Sequence, residues 1–283
     1  MQVGRRKPDW LKVRLPNTPE FNRVAGTLAD CRLHSVCQEA RCPNIAECFH
    51  SGTATFLILG NVCTRHCLYC NVRHGVPSAP DAGEPARLTE AATRLNLRYV
   101  VITSVTRDDL PDGGAGLFAA CIEALRARVP GCRVEVLIPD FRGNPQALER
   151  VANARPDVIN HNMEVARPLF PALRPQGDYG ISLEIISRIK RYDAKIISKS
   201  GFMVGLGEGW GDIIDLMEDL AGAGCERLTI GQYQQPRRDN APVQRYYHPE
   251  EFERLREIAL GRGFQHVEAG PLVRSSYHAA GAD

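Results

Sequence analysis

Seven of the ten cysteines in this 283-residue chain, Cys31, Cys37, Cys42, Cys48, Cys63, Cys67 and Cys70, fall within residues 31–70. Three of them form Cys63-x3-Cys67-x2-Cys70 in NVCTRHCLYCNV, directly after an apolar run. Three thiolates on one tight loop can hold three irons of a cubane cluster, whereas a cluster held entirely by protein takes four cysteines. The fourth iron is left open. An open position on a redox cofactor is where a substrate binds, as catalytic zinc keeps one position for its own. A second triplet, Cys37-x4-Cys42-x5-Cys48 in SVCQEARCPNIAEC, predicts a second 4Fe-4S cluster, again one cysteine short.

The same residues allow other arrangements. His66 or His74 would complete a zinc site with the first triplet, although zinc knuckles pair two-residue spacings in two halves and this loop has one unpaired triplet. Cys31, six residues before Cys37, would close the second cluster as a structural or electron-transfer centre, or make a four-cysteine zinc site with Cys37, Cys42 and Cys48. Cys121, Cys132 and Cys225 lie in apolar surroundings and read as small buried hydrophobes.

Clustered cysteines in a chain of this length point to metal in an intracellular protein, not to a secreted disulfide scaffold. With 43% hydrophobic and 24% charged residues and a formal net charge of +2, nothing suggests disorder or a strongly nucleic-acid-attracting surface. No apolar run approaches the roughly 18 residues of a membrane helix, and the basic N-terminus has no apolar stretch after it. The chain is expected to be soluble, unsecreted and cytoplasmic.

Short β-branched runs alternate with stretches of helical period. Strands are expected at residues 54–59, 99–105, 133–138, 158–161, 195–204, 227–231 and 265–268, and helices near 89–96, 116–128, 145–154, 182–192, 213–223 and 249–262. Alternation with helix-length crossovers means an α/β fold with parallel strands. A partial or full TIM-type (β/α) barrel competes with an open doubly wound sheet, because strand order is not written in one sequence. Polar, glycine-rich segments follow the strands: residues 61–72, 106–114, 139–144, 162–167, 205–211, 232–236 and 270–278. In parallel α/β architectures the site forms at the carboxyl ends of strands, so one open cavity should collect them all. Residues 1–50 read as an N-terminal extension carrying the second triplet, and residues 51–283 as the barrel with a C-terminal segment closing the site.

An aromatic residue just before the last cysteine, here Tyr69, makes the first triplet resemble the cluster loop of the radical S-adenosylmethionine enzymes. The resemblance implies a (β/α) barrel with this loop after its first strand. It also implies that S-adenosylmethionine chelates the unique iron and is cleaved reductively to a deoxyadenosyl radical that abstracts unactivated hydrogens. The second triplet, with RCPN between its ligands, is similar within that superfamily to the lipoyl synthase family. The similarity continues in KPDWLKVRLP (7–16), TATFLILG (53–60), SVTRDDLPDGGA (104–115), NHNMEVA (160–166), SKSGFMVGLGE (198–208) and GPLVRSSYHA (270–279).

That family resemblance implies a sulfurtransferase using two 4Fe-4S clusters and S-adenosylmethionine. It inserts sulfur at carbons 6 and 8 of an octanoyl group on a lysine of a lipoyl carrier domain, with the auxiliary cluster as sacrificial donor. Implied partners are the glycine-cleavage H protein and 2-oxoacid dehydrogenase acyltransferase subunits, a low-potential donor such as ferredoxin or flavodoxin, and an iron–sulfur carrier for reassembly. It also implies a serine of Arg274-Ser275-Ser276-Tyr277 as the fourth auxiliary ligand, Ser275 before Ser276. Serine oxygen is harder and binds iron more weakly than thiolate, which gives one labile corner.

Asn160, Asn162 and Glu164 come off one strand end, with Asn160 and Asn162 on one face by alternation. They are expected to bind the ribose or methionine moiety of S-adenosylmethionine, with Arg174 and Lys199 as carboxylate partners. The GLGEG loop (205–209) lacks dinucleotide spacing and is expected to let backbone approach S-adenosylmethionine; the GWG that follows departs from the polar residues expected there. Arg107, Asp108 and Asp109 fit loop salt bridges equally well. The basic run Arg5, Arg6, Lys7, Lys12 and Arg14 is a solvated face or a patch steering an acidic carrier domain. Two other activities share the pattern: a different sulfur-inserting or methylthiolating radical enzyme, and a noncatalytic iron–sulfur electron carrier. Cleavage of S-adenosylmethionine separates the last from the others, and the acyl product separates the first two.

Overall fold

The computed structural model describes residues 7–12, 18–40, 42–50, 55–277 and 279, with only the backbone at Ala46 and His50. Its elements are α1 (Pro19–Asp30), β1 (His34–Ser35), α2 (Val36–Glu39), α3 (Ile45–His50), β2 (Thr55–Ile58), β3 (Val62–Cys63), β4 (Arg73–His74), α4 (Glu84–Arg94), β5 (Tyr99–Ser104), α5 (Ala115–Arg128), β6 (Arg133–Leu137), α6 (Pro145–Asn153), β7 (Val158–Asn160), α7 (Phe170–Leu173), α8 (Tyr179–Tyr192), β8 (Ile197–Val204), α9 (Trp210–Gly222), β9 (Arg227–Gln232), α10 (Pro249–Gly261) and β10 (His266–Gly270).

The main sheet runs β1-β2-β5-β6-β7-β8-β9-β10, and β3 pairs with β4 apart from it. Every neighbour is parallel except β1, which joins β2 antiparallel. A doubly wound sheet reverses its strand order part-way; this one never does. Right-handed crossovers in a monotonic order put every helix on one face, so the sheet curls with its other face inward. Among the described residues β1 and β10 do not pair, which makes a partial barrel.

The outward faces of the strands bury Val100, Ile102, Val134, Val136 and Ile159 against Phe118, Ile122, Leu148 and Val151 of α5 and α6. On the other half Val204, Leu228 and Ile230 pack on Leu216, Met217, Phe252 and Leu255 of α9 and α10. The seven expected strands are present with ends shifted by up to two residues; Ala54 lies outside the described residues. α4 begins five residues before the expected start, because Pro85 is tolerated in a first helical turn. Asp178 likewise starts α8 early, its carboxylate accepting the Ile181 amide at 2.8 Å. Trp210 opens α9, and the Arg254 guanidinium lies over its ring at 5.0 Å, so this departure serves helix packing.

The N-terminal extension, where no elements were expected, supplies α1 to α3 and an edge strand, and its Val24, Leu28 and Phe49 join the main core. Arg5, Arg6 and Arg14 of the basic run lie outside the described residues. Lys12 pairs with Asp9, and Lys7 is held below the usual lysine range by burial and by the charge of Arg274.

Candidate metal centre

β2 ends at Ile58, and Leu59 and Gly60 then take left-handed backbone (φ 66° and 83°) that turns the chain into β3. Leu59 is not a glycine, so this turn is held from outside. Its amide donates to Glu84 Oε2 at 3.0 Å and its carbonyl accepts from Arg107 Nη1 at 3.4 Å. Cys63 closes β3 opposite His74 of β4, and Cys70 donates its amide to Cys67 O at 3.0 Å. Three neighbours pin the loop: Thr64 donates its amide and hydroxyl to Thr106 O at 3.0 Å, Leu68 N donates to Leu173 O at 2.9 Å, and Asn240 Nδ2 donates to Leu68 O and Cys70 O at 3.1 and 2.9 Å. Between the cysteines, Arg65 turns inward and pairs with Asp108 and Asp140. Arg107 pairs with Asp109, so the three charged residues of the 107–109 loop serve as salt bridges.

The second triplet comes together on the short helices of the extension. Ser35 caps α2 by accepting the Gln38 amide, Cys42 N donates to Cys37 O at 3.0 Å, and Cys48 N donates to Asn44 O at 2.9 Å. Burial, then the proximity of Cys42, pushes the Cys37 thiol up to about 11. Burial, then Cys37 and Cys42, pushes Cys48 up to about 12. Cys31 is elsewhere: its sulfur faces α4, 3.7 Å from Arg94 Nη1.

Glu39 joins the two triplets. Its carbonyl accepts from Asn71 Nδ2 at 2.7 Å and its carboxylate from Asn61 Nδ2 at 3.2 Å, and those asparagines flank the first triplet. The C-terminal strap lies over the second: Asn44 Nδ2 donates to Leu272 O at 2.6 Å, and Tyr277 Oη donates to Glu47 at 3.2 Å. A Cβ at Gly231 would collide with Val273 O, so only glycine lets the strap this close to β9. Ser275 Oγ accepts from Asn162 Nδ2 at 2.7 Å. Arg274, just before Ser275, lowers the Cys42 thiol against the effect of burial, and Cys48 is close enough to help raise the Tyr277 hydroxyl, after burial and Glu47. Beyond Ser275, Ala279 packs on Tyr99 and Val101; His278 lies outside the described residues.

Asn162, Glu164, Met203, Arg274 and Ser275 line a cavity of about 60 Å³ at the barrel mouth. Glu164 sits in left-handed backbone (φ 70°), and burial raises its carboxyl against the hydrogen bond from Asn162 and the charges of Arg174 and Arg274. Arg174 donates to Asn162 O at 3.1 Å and lies 3.6 Å from Asp140. The structure thus gathers Asn162, Glu164, Arg174 and Ser275 at one mouth, with Glu164 and Arg174 close enough to act on Cys67. Asn160 is wholly buried beneath them, neither atom of its amide paired within the protein.

Lys199 is not among them. It sits low on β8, buried, with Nζ 2.8 Å from Glu135 Oε1, and Tyr99 Oη donates to the other oxygen at 2.6 Å. Its charge is spent closing the amino end of the barrel, which corrects its expected role as a carboxylate partner of S-adenosylmethionine. Removing one member of a buried ion pair strands the other, so Lys199→Met should cost about 3–5 kcal/mol in urea unfolding. Adding Glu135→Gln should recover much of that.

In the GLGEG loop Gly205 and Gly207 have φ of 102° and 118°, and Glu208 turns back to accept the Gly205 and Leu206 amides. A larger groove of about 390 Å³ lies between α5 and α6, on the outer helical layer and without a cysteine.

Sequence reasoning missed His161. Its Nδ1 lies 2.9 Å from Ile138 O, and burial, then Arg174, lowers it to about 4. The unfolded chain therefore binds a proton that the folded chain refuses between about pH 6.5 and 4, and stability falls as pH drops through that window. Between pH 7 and pH 5.5 this contributes about 1 kcal/mol, and His161→Gln should show that much less loss in urea midpoints.

The donor set fits clusters. All ten cysteines are free thiols. Burial pushes Cys70 up to about 12 and raises Cys67 against the charge of Arg174, so only a bound cation would make these groups thiolates at neutral pH. Among the described residues no three Cys, His, Asp or Glu side chains group around a single ion. His66 and His74 stack on each other with centroids 3.8 Å apart. A cubane spreads its ligands over separate corners and needs no such convergence on one ion.

A family model for the radical SAM superfamily matches residues 57–220, and one for the N-terminal domain of lipoyl synthase matches residues 2–42. A lipoyl synthase of Rubrobacter xylanophilus is 53% identical over 96% of this chain and 85% of its own. One of Methylococcus capsulatus is 54% identical over 97% and 85%. Among solved structures, Streptococcus suis SuiB bound to precursor peptide SuiA aligns with a TM-score of 0.58 at 13% identity. That alignment covers 82% of this chain and only 53% of SuiB, and it shows likeness of fold alone. Identity above half over nearly the whole chain, with family models matching residues 2–42 and 57–220, places this chain in the lipoyl synthase family of the radical S-adenosylmethionine superfamily.

Proposed function

We propose that Cys63, Cys67 and Cys70 hold the cluster that meets S-adenosylmethionine, and that Cys37, Cys42, Cys48 and Ser275 hold the auxiliary cluster. The enzyme is a radical S-adenosylmethionine sulfurtransferase that makes the lipoyl group on octanoylated lipoyl carrier proteins. When bound, the first cluster supplies the electron that cleaves S-adenosylmethionine and the second supplies sulfur. One observation carries the assignment of the two triplets: Glu39 and the C-terminal strap bring an N-terminal, a barrel and a C-terminal segment to one mouth.

The chain's own part is binding, orientation and exclusion of water. Asn162 orients Ser275, while Glu164 and Arg174 offer opposite charges for the methionine moiety. Asn160, buried and unpaired, is a donor and acceptor for the ribose. The strap covers the cavity, which keeps water and stray hydrogen donors away from reactive species. Residues 1–50 act as the auxiliary extension of a 51–283 barrel.

The finer partners are a low-potential donor such as ferredoxin or flavodoxin, an iron–sulfur carrier that rebuilds the auxiliary cluster, and the H protein or acyltransferase subunits as carriers. Among the described residues no helix is long and apolar enough to cross a membrane, and we place the enzyme in the cytoplasm.

The direct test is anaerobic incubation of an octanoyl-lysine peptide with enzyme, dithionite and S-adenosylmethionine, followed by mass spectrometry. A gain of two sulfurs is expected, and an unchanged peptide alongside deoxyadenosine formation would sink the assignment. Truncation after Gly270 removes Ser275 and the strap. It should lower sulfur insertion by at least about a hundredfold while the first cluster still loads.

A further inference from the structure

We propose that Arg65, a spacer inside the first triplet, is a positioning residue that sets the orientation, and through it the reduction potential, of the cluster held by Cys63, Cys67 and Cys70. This rests on the assignment of that cluster above. A spacer on a ligand loop has no need to enter the protein, and the next residue, His66, is exposed. The Arg65 side chain is instead 3% exposed.

Its guanidinium makes four charge-assisted hydrogen bonds. Nε and Nη2 donate to Asp108 at 2.7 and 2.9 Å, and Nη1 and Nη2 donate to Asp140 at 2.5 and 2.7 Å. Asp108 follows β5 and Asp140 follows β6. A single carboxylate would leave the loop free to pivot about it; two on separate strand ends remove that freedom. Both carboxylates are themselves held, Asp108 by Arg142 at 3.3 Å and Asp140 by Arg174 at 3.6 Å. Thr64 Oγ1 accepts the Asp108 amide at 3.0 Å, a second tie between the same two loops.

The anchored side chain also aims its own backbone. Arg65 N donates to Cys63 Sγ at 3.4 Å. Hydrogen bonds to ligand sulfur stabilise the reduced, more negative cluster and raise its potential. Lysine keeps the charge but is a single point donor that cannot serve two carboxylates bidentately. Arg65→Lys should therefore let the loop rotate and weaken the N–H···S bond.

The test is an anaerobic redox titration of the holoenzyme, following both clusters by electron paramagnetic resonance, for Arg65→Lys and Asp108→Asn. In Arg65→Lys, which keeps the charge, the first cluster's potential should become more negative, and in both variants its spectral response to S-adenosylmethionine should change. Reductive cleavage should slow by about tenfold or more. The auxiliary cluster is the internal control for folding and should keep its potential. An unchanged potential at the first cluster in Arg65→Lys overturns the proposal, as does an equal shift of both clusters, which is general loosening. Should Arg65→Lys load no iron, Asp108→Asn decides: it leaves Arg65 on Asp140, and an unchanged spectral response of the first cluster to S-adenosylmethionine there overturns the proposal too. Failure of the underlying assignment has a different signature, full iron content in a chain lacking Cys63, Cys67 and Cys70.

Discussion

With Cys63, Cys67 and Cys70 all replaced by alanine, iron should fall from about eight to about four atoms per chain, and deoxyadenosine formation should drop below about a thousandth of the parent rate. The three thiols share one loop held by Thr106, Leu173 and Asn240. The cysteines outside the two triplets are not placed to substitute: Cys121 is buried in α5, Cys132 and Cys225 lie just before the amino ends of β6 and β9, and Cys31 faces Arg94. The loop's neighbours keep their bonds, because the pinning runs through backbone and Arg65, so the variant should fold. Iron analysis and chromatography of the nucleoside check both halves. Undiminished cleavage would place the radical chemistry elsewhere.

Replacing Cys37, Cys42 and Cys48 together is expected to have the complementary effect. One cluster should remain, deoxyadenosine should still form at a reduced rate, and no sulfur should appear in the octanoyl peptide. The two triplets sit on separate elements, α2 and α3 against the loop after β2, so one can load without the other. Their contact through Glu39 explains the reduced rate, since the extension helps to hold Asn61 and Asn71 beside the first triplet. Mass spectrometry with labelled sulfide excluded from the assay decides it. Sulfur in the product of this variant would mean that the donor is not the auxiliary cluster.

Local chemistry was legible because it is written in spacing. Two triplets of thiols separated by three and two, and by four and five, residues specify ligand loops before any fold is known. The strands were legible for the same reason: β-branched runs bounded by turns locate β5 to β9 to within two residues. What a helix cap or an early proline adds, as at Glu84 and Asp178, lies outside periodicity, and the element starts shifted accordingly.

The direction in which a side chain turns was not legible, because it depends on partners far away in the chain. Lys199 has the type and strand position of a ligand group, yet Glu135, 64 residues away, takes its charge at the closed end of the barrel. Arg65 is one of three residues between Cys63 and Cys67, and only Asp108 and Asp140, brought from two other strands, turn it inward. Cys31 has a plausible sequence distance from Cys37, but the packing of α1 on α4 turns its sulfur toward Arg94. By itself the sequence determined the family, the ligand types and the alternation of strand and helix, all carried by residues near one another in the chain. Tertiary structure decided strand order, the meeting of three distant segments at one mouth, and which buried charges remain free for chemistry. Each of those depends on a contact between residues tens to hundreds of positions apart, whose energy no local pattern contains.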